Sequence, residues 1–317
     1  MHEIAVGHRA ECPEIDDALD MVRDMCDRAE DLLVKGDVEP AMDLLISGLE
    51  AARTSLTPTN WWRAVDAVRT SPIHLRLLED PYIAAAYRKA DGYAGDARTL
   101  DFVYRLRQAP ANTSALGCRL LGISTDVPIA AAVRARSRHI ADLVTRRLVR
   151  RPTSTVVSIA CGHMRELRWI EPEVLAGAHI VGMDQDETSL ACAGDTHPCL
   201  TTIRNSVRRV LVDPSVVPEA DIIYSAGLFD YLDGRTAILL VERLGSRLRT
   251  GGVLVVVNLT ATNAEIAFME AVMDWWMIYR DEEDLRRLVP ENSSFDCRTY
   301  SLAGQRLACL ELTRPVA

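Results

Sequence analysis

The sequence predicts an α/β chain: a mostly parallel, open sheet that finishes in an antiparallel hairpin, preceded by an α-helical domain. Three observations carry this. From Thr153 onward, short apolar runs alternate with helix-like stretches, the texture of strands joined by crossover helices. One of these runs, Gly252-Val-Leu-Val-Val-Val257, is apolar throughout, as expected of a strand buried on both faces. The last two runs alternate more and meet at Ala303-Gly304, which reads as a hairpin.

The first ~110 residues read as helical from their 3.6-residue periodicity. Ile15, Ala18, Leu19, Val22, Cys26, Ala29, Leu32 and Leu33 make one apolar stripe. Gly36-Asp37 stops and restarts the chain, and Ala41, Met42, Leu45, Leu49 and Ala52 make a second, predicting an αα-hairpin. Three later helix starts pair a capping residue with proline: Thr57-Pro58, Ser71-Pro72 and Asp80-Pro81. Proline there removes no needed donor, since the first helical N–H has no intrahelical partner. Asp91-Gly-Tyr-Ala-Gly-Asp96 breaks the helical run, Leu100–Leu106 resumes it, and a weaker polar stretch covers Gln108–Thr125. Ile129–Leu148 is a basic amphipathic helix leading into the first strand. Predicted strands are 154–160, 179–184, 200–204, 220–225, 252–259, 295–302 and 306–313. The expected boundary is a helical domain over 1–127 and a sheet domain over 128–317.

Composition narrows the function classes. The 317 residues are 48% hydrophobic and 26% charged, the balance of an ordinary globular chain. A net charge of -9 speaks against a general nucleic-acid or anionic-membrane surface. Nearly all positive charge is arginine, with lysine at Lys35 and Lys89 alone. The beginning, MHEIAVGHRAECPE, has no apolar signal-like core, and no run approaches the roughly 20 apolar residues of a membrane span. The eight cysteines form no C-x-x-C pair and read as reduced thiols, so a cytoplasmic protein is expected. Cys192, His197 and Cys199 lack a fourth zinc ligand, so no metal is expected.

The functional signal begins at TSTVVSIACGHMRE, residues 153–166. The run Val156–Ala160 stops at Cys161-Gly162-His163 and gives way to a helix-like pattern. That is how a buried strand turns into a helix whose N-terminus cradles a ligand. The next run, His179–Met183, ends in Asp184, a carboxylate suited to both hydroxyls of a ribose. Together they place a nucleoside-bearing cofactor on the sheet. The bland alternatives are a tight turn at Cys161–His163 and a helix cap at Asp184.

This order of elements resembles the class I S-adenosylmethionine-dependent methyltransferases over roughly residues 130–315, a Rossmann-like seven-stranded fold whose last strand is antiparallel. Their first motif usually reads acidic-x-Gly-x-Gly-x-Gly, and the corresponding positions are Ser158, Ala160, Gly162 and Met164. The resemblance implies S-adenosyl-L-methionine as cofactor, its methionine portion against Ala160, Cys161, Gly162 and His163. It implies Asp184 as the ribose acid, Gln185 near the adenosine, and Asn205, Ser206 and Val207 as an adenine wall. Ser225, Ala226 and Gly227 fall at the C-terminal edge of the next strand, where open sheets hold ligands. The loop SAGLFDYL, with GYAGD upstream and WMIYRDEEDL downstream, is similar to methyltransferases of extracellular factor 3-hydroxypalmitic acid methyl ester biosynthesis. That narrower resemblance implies that GYAGD folds over the cofactor, bringing Tyr93 and Asp96 to the ligand; the alternative is loop stabilisation.

A carboxylate acceptor needs only a cation to orient it, for which Arg280 is the candidate. A hydroxyl or amine acceptor needs a base, and Asp230 or His163 comes first, with Tyr231 beside them. Asp230 has a structural alternative, capping the helix after Gly234. Trp275 and Trp276 sit in a predicted helix with Phe268, Met269 and Val272, one packing in the core and the other open to an acceptor. The expected partner is a small-molecule acceptor, without nucleic acid or membrane, and the helical domain is expected to serve as acceptor lid, dimer surface or both. Two rival functions are a cofactor-binding scaffold without catalysis and a nicotinamide-dependent oxidoreductase. The second is weakened because ACGHMR lacks the G-x-G-x-x-G spacing.

Overall fold

The structure, a computed structural model, describes residues 13–89, 92–291 and 293–316, with side chains from residue 19 onward. The expectations for the Ile15 and Ala18 side chains and for Asp91 lie outside the described residues. In chain order the first helices are α1 (Pro13–Lys35), α2 (Val38–Ser55), α3 (Pro58–Thr70), α4 (Pro72–Leu77) and α5 (Pro81–Arg88). Next come α6 (Ala97–Val103), α7 (Ala115–Ser124), α8 (Pro128–Arg150), α9 (Pro172–Leu175) and α10 (Glu187–Thr196). The last are α11 (Val207–Val212), α12 (Gly234–Gly245), α13 (Ile266–Met273) and α14 (Glu282–Arg286). The strands are β1 (Thr155–Ile159), β2 (His179–Asp184), β3 (Leu200–Arg204), β4 (Ala220–Ala226), β5 (Leu248–Leu259), β6 (Asp296–Leu302) and β7 (Leu307–Thr313).

The chain forms two compact units, and the cut is not the single boundary at 127/128 that the sequence predicts. One unit is Met1–Ala94, Ala109–Ser124 and Ala264–Trp275; the other is Gly95–Gln108, Thr125–Asn263 and Trp276–Ala317. The physical reason lies in two exchanged segments. Helix α13 is buried at every residue and packs on α2, α3 and α5, so it belongs with the helices although it follows five strands. Its buried Glu270 accepts from the Arg53 guanidinium (Nε to Oε2, 2.8 Å) and from the Trp61 indole N–H (2.8 Å). Conversely, α6 packs on α8 in the sheet unit.

Within the helical unit the predicted hairpin is present: α1 and α2 pack together around the break at Gly36, whose φ is +87°. Leu19, Val22, Cys26, Ala29, Leu33, Ala41, Met42, Leu45 and Leu49 are buried, as the two stripes require. All three cap–proline pairs start helices. Thr57 and Asp80 cap with their side chains, Asp80 accepting from the Tyr82 and Ile83 N–H groups, whereas the Ser71 hydroxyl turns back to the Val68 carbonyl. The polar stretch 108–125 contains a helix the periodicity missed, α7, started by the Ser114 hydroxyl accepting from the Gly117 N–H. Helix α13 ends at Met273 rather than running through the tryptophans, because Asp274 turns left-handed at φ +50°. Trp275 is buried in the helical unit, and Trp276 belongs to the other unit.

The sheet unit has strand order β3-β2-β1-β4-β5-β7-β6. Strands β1 to β5 pair in parallel, and β7 lies antiparallel between β5 and β6. β5 begins at Leu248, four residues before its apolar run, and its pairing with β4 shifts register between Ala220 and Ile222. Val157, Ile159, Val181, Ile223, Leu254, Val256 and Leu310 join α12 residues Ala237, Leu240, Val241 and Leu244 in one core. The chain leaves β1 toward β2 on one side, and β4 lies on the other. This reversal is the topological switch point, where an open sheet leaves a crevice beyond its C-terminal strand ends.

Replacing Glu270 by alanine leaves the Trp61 N–H and the Arg53 guanidinium without their acceptor. We expect a loss of roughly 3 kcal/mol in denaturant unfolding, the scale for breaking a buried ion pair, with Glu270→Gln costing less because it keeps one acceptor oxygen. An Ala variant as stable as the parent would show that α13 is held without the Glu270 carboxylate, by its apolar packing and the bonds of Arg69 and His74 to its carbonyls.

Candidate functional site at the C-terminal edge of the sheet

The segment after β1 is not the start of a long helix. Residues 160–164 form a loop, followed by a five-residue 3₁₀ turn at Arg165–Trp169 and the one-turn α9, so no helix N-terminus faces the crevice here. What the loop provides is backbone shape. Ala160, Gly162 and Met164 all adopt left-handed conformations, with φ of +53°, +52° and +48°. These are the three positions at which the resembling motif carries glycine. L-residues at two of them store strain of order 1–3 kcal/mol each, so something must hold the loop in place.

The restraint comes from β2. The Cys161 N–H donates to the Met183 carbonyl (3.0 Å), extending the β1–β2 ladder by one bond. The Gly162 N–H donates to Asp184 Oδ2 at 2.8 Å, and Asp184 Oδ1 accepts from the Asp186 N–H at 3.0 Å. Asp184 is therefore neither a helix cap nor a free acid. It ties the loop to the end of β2, and Asp186 caps α10 instead, accepting from the Thr188 and Ser189 N–H groups. The Asp184 carbonyl accepts from the Asn205 N–H (2.8 Å), which brings Asn205, Ser206 and Val207 beside it. Ser206 caps α11, Val207 packs against the core, and Gln185 is exposed. Loop, Asp184, Gln185 and residues 205–207 are thus gathered at one end of β1, β2 and β3.

His163 is buried, and its Nδ1 lies 3.0 Å from Asp101 Oδ2. Asp101 also takes a two-point bond from Arg165, Nε to Oδ1 and Nη2 to Oδ2, each 2.7 Å. Burial alone would raise the Asp101 carboxyl, but Arg165 and His163 outweigh it and hold it below the usual carboxylate range. Among the described residues Nε2 of His163 has no protein partner. Asp101 comes from α6, about 60 positions upstream, a distance over which no periodicity argument reaches. Asp96 is buried as the cap of α6, accepting from the Thr99 N–H (2.6 Å), and Tyr93 is part of the helical unit.

At the end of β4 the expected ligand residues divide. The Ser225 side chain is fully buried and donates to the Ile159 carbonyl (3.0 Å), so it joins β4 to β1 rather than facing a ligand. Ala226 and Gly227 stay partly open, and Gly227 has φ +112°, a value an L-residue rarely adopts. Asp230 is buried; its Oδ1 accepts from the Leu259 N–H (2.8 Å) and its carbonyl from the Ile278 N–H (2.7 Å). It does not cap the following helix, because Asp233 does, accepting from the Arg235 and Thr236 N–H groups. Burial pushes the Asp230 carboxyl up to about 6. Arg280 is not presented to an acceptor. It donates to the Phe229 and Leu232 carbonyls (2.6 and 2.5 Å) and to Asn258 Oδ1 (3.2 Å), which clamps the 228–232 loop onto β5. Tyr231 is 37% exposed at the rim of that loop.

Two further groups sit at this edge without having been legible in the sequence. The Tyr224 hydroxyl donates to Glu166 Oε1 at 2.6 Å, and burial raises that carboxyl above its ordinary value. Arg136, from α8, is 4% exposed and lies against Gly227: a β-carbon there would sit 3.1 Å from its Nη1.

No protein-family model and no curated protein matches this chain. Among solved structures, a candidate exported protein from Bordetella parapertussis is 19% identical with a TM-score of 0.58, covering 99% of this chain and 100% of its own. A candidate methyltransferase from Thermobifida fusca YX is 15% identical with a TM-score of 0.50, covering 70% of this chain and 94% of its own. With the strand order, these likenesses define the fold as the seven-stranded, Rossmann-like methyltransferase sheet with an antiparallel last strand.

Two outcomes test this geometry. Ala160→Gly should leave stability unchanged or raise it by up to ~1 kcal/mol, whereas Gly162→Ala should lower it by ~1–3 kcal/mol, because its β-carbon would lie 3.0 Å from that of Ala97 at an unfavourable φ. Paired thermal melts read both, and a destabilised Ala160→Gly would contradict the strain. For Asp230, the folded carboxyl is raised from an ordinary 3.8 to about 6, so the native state binds the extra proton between these values. Stability from this group is present at low pH and is lost as pH rises through about 6, by up to ~3 kcal/mol. Asp230→Asn should remove that part of the slope in melts between pH 4 and 7.5; an unchanged slope would place the titration elsewhere.

Proposed function

We propose that this chain is an S-adenosylmethionine-dependent methyltransferase acting on a small-molecule acceptor, a carboxylate or hydroxyl of a lipid or specialised metabolite. One observation carries the reading: the loop after β1 keeps the left-handed backbone of a glycine-rich cofactor turn at Ala160, Gly162 and Met164, fastened by its Gly162 N–H to the acid that ends β2. A loop strained in this way and held by a buried carboxylate has a use beyond connecting strands. The donor set fits the adenosyl cofactor. A carboxylate has about four lone-pair sites, and the two protein N–H bonds to Asp184 leave others for ribose hydroxyls. Gln185, Asn205, Ser206 and Val207 stand beside it for the adenosine, while Ala160 and Gly162 allow close approach of the methionine portion.

The cofactor supplies an activated methyl group on a sulfonium centre. The chain's task is then to orient the acceptor in line and keep water out, and orientation of this kind removes several kcal/mol of barrier. Arg280 keeps the SAGLFDYL loop in one shape through the Phe229 and Leu232 carbonyls, and so positions Tyr231 and Gly227. For a hydroxyl acceptor, His163 is the base of choice, with Asp101 fixing its ring through Nδ1. A carboxylate acceptor, anionic at neutral pH, uses no base. The resemblance to 3-hydroxypalmitic acid methyl ester biosynthesis favours an acyl carboxylate. The seven described cysteines are free, which fits a reducing cytoplasm, and we propose no nucleic-acid or membrane partner. Among the described residues no single helix is long and apolar enough to cross a membrane.

Calorimetric titration with S-adenosylmethionine, S-adenosylhomocysteine and NAD separates this reading from its rivals. The expected result is binding of both adenosyl ligands, a product 14 mass units heavier in cell extract, and no NAD binding. Tight NAD binding without the others would point to an oxidoreductase, and adenosyl binding without turnover to a scaffold. Asp184→Ala should weaken adenosyl binding by about 1–3 kcal/mol, the loss for hydrogen bonds to a charged group; unchanged affinity would remove its ribose role.

A further inference from the structure

His163 and Asp101 meet in a buried corner of the sheet unit, and Arg165 governs where their hydrogens sit. The Nδ1 nitrogen of His163 has two neighbours that ask opposite things of it. Asp101 Oδ2 lies at 3.0 Å and accepts when ionised, whereas Arg165 Nη2 lies at 3.3 Å and can only donate. Arg165 directs its Nε and Nη2 at the two Asp101 oxygens, at 2.7 Å each. Burial would raise the carboxyl, but this two-point bond, with His163, holds it below the usual carboxylate range. An ionised Asp101 has no hydrogen to give, so the hydrogen between the pair belongs to Nδ1. In the neutral ring Nε2 then carries the lone pair.

The charge of Arg165 matters as much as its fork of donors. Without it, a buried carboxylate stands beside an imidazole with no cation to match it, which taking up a proton relieves. That proton has two places to go. On Asp101 it turns the carboxyl into a donor to Nδ1 and moves the ring's hydrogen to Nε2. On the ring it puts hydrogen on both nitrogens. Either way Nε2 loses its lone pair, and Arg165 prevents both. The guanidinium is itself held from α10, with Nη1 3.4 Å from Thr196 Oγ1 and Nη2 3.6 Å from Cys192 Sγ. Two other titratable groups lie close by. Burial would raise Asp186, but its bonds from Ser189 and Thr188 keep it low, and burial lowers His197. Among the described residues neither one bonds the His163 ring, and Nε2 has no protein partner.

We propose that Arg165 is a positioning residue: through Asp101 it keeps Nε2 of His163 free of hydrogen and open to a proton. In methyl transfer to a hydroxyl, the oxygen gains the methyl, the sulfonium charge is discharged, and the hydroxyl proton passes to Nε2. The resulting imidazolium faces the Asp101 carboxylate and gives the proton to water. A carboxylate acceptor would leave the arrangement idle, so the acceptor it serves is a hydroxyl. That use of Nε2 rests on the methyl-transfer reading; the placement of the hydrogens does not.

The test is nitrogen NMR on the full chain labelled with ¹⁵N-histidine. Arg165→Gln and Arg165→Lys stand beside the parent, and His163→Gln assigns the signals. At about pH 8, where an ordinary imidazole is neutral, the parent should show hydrogen on Nδ1 and a bare Nε2. Arg165→Gln should show hydrogen on Nε2, and Arg165→Lys, which keeps the charge, should recover the bare nitrogen at least in part. In parallel, conversion of S-adenosylmethionine to S-adenosylhomocysteine is followed with cell extract as the source of acceptor. Arg165→Gln should lose roughly tenfold or more in kcat, with KM for S-adenosylmethionine unchanged. A parent ring with its hydrogen on Nε2 overturns the proposal, and so does an Arg165→Gln ring that keeps Nε2 bare, whatever its melting temperature. A shifted hydrogen with turnover equal to that of the parent overturns the use of His163 as base. If Arg165→Gln fails to fold, the parent and Arg165→Lys decide: hydrogen on Nε2 in both ends the proposal, and a bare Nε2 in both sustains it. Should the parent neither bind nor convert S-adenosylmethionine, the methyl-transfer reading fails and the ring nitrogens decide alone.

Discussion

The hydrogen bond from the Gly162 N–H to Asp184 Oδ2 is the constraint on which the site depends. Without it, a loop with alanine and methionine in left-handed conformations would relax. Two such residues cost about 1–3 kcal/mol each, and a bond to a charged, nearly buried acceptor returns about 1.5–3 kcal/mol, helped by the added rung from Cys161 to Met183. The balance is close, which explains why the remaining glycine sits at the middle position: it is there that Ala97 approaches and the bond to Asp184 is made. The glycines at either side are dispensable as long as the backbone they favour is enforced from β2.

The same edge of the sheet carries an unusual density of buried charge, and its members have different work. Arg280 and Asn258 hold the loop after β4 in shape, and the Asp230 carboxylate closes that loop against the Leu259 N–H. Tyr224 and Glu166 bridge the β4 end to the turn after β1. Asp101 fixes His163 and Arg165 together. Arg136 is buried among them, and the Tyr104 hydroxyl with the charges of Asp230 and Glu166 compensates its loss of hydration.

Much of the fold was legible because its signals are local. Apolar runs such as Val156–Ile159 and Val253–Val257 declare buried strands, the alternation around Ala303-Gly304 declares the hairpin, and proline after a capping residue marks helix starts at Pro58, Pro72 and Pro81. Asp184 and the turn at Cys161–His163 were legible for the same reason, since each ends an apolar run. What escaped was carried by contacts distant in sequence. Asp101 and Arg136 lie on other elements, and Glu166, at the end of the 153–166 stretch, takes its role from Tyr224 on β4; only the folded sheet brings these groups together. The role of Arg280 was misread because its partners are backbone carbonyls, which no residue pattern announces. Helix α13 joins the helical unit through Glu270 and an apolar surface on all sides, so a boundary drawn along the chain misplaces it. The turn after β1 looked helical because Arg165–Trp169 does coil, but for a single 3₁₀ turn before Pro172.

The measurement that bears most directly on the central claim is a crystal structure of the chain with S-adenosylhomocysteine. The account predicts ribose hydroxyls within hydrogen-bond distance of the Asp184 carboxylate, the homocysteine portion lying along Ala160–Gly162, and the left-handed φ values at 160, 162 and 164 retained. A ligand bound elsewhere, or a loop whose Gly162 N–H has left Asp184, would contradict it.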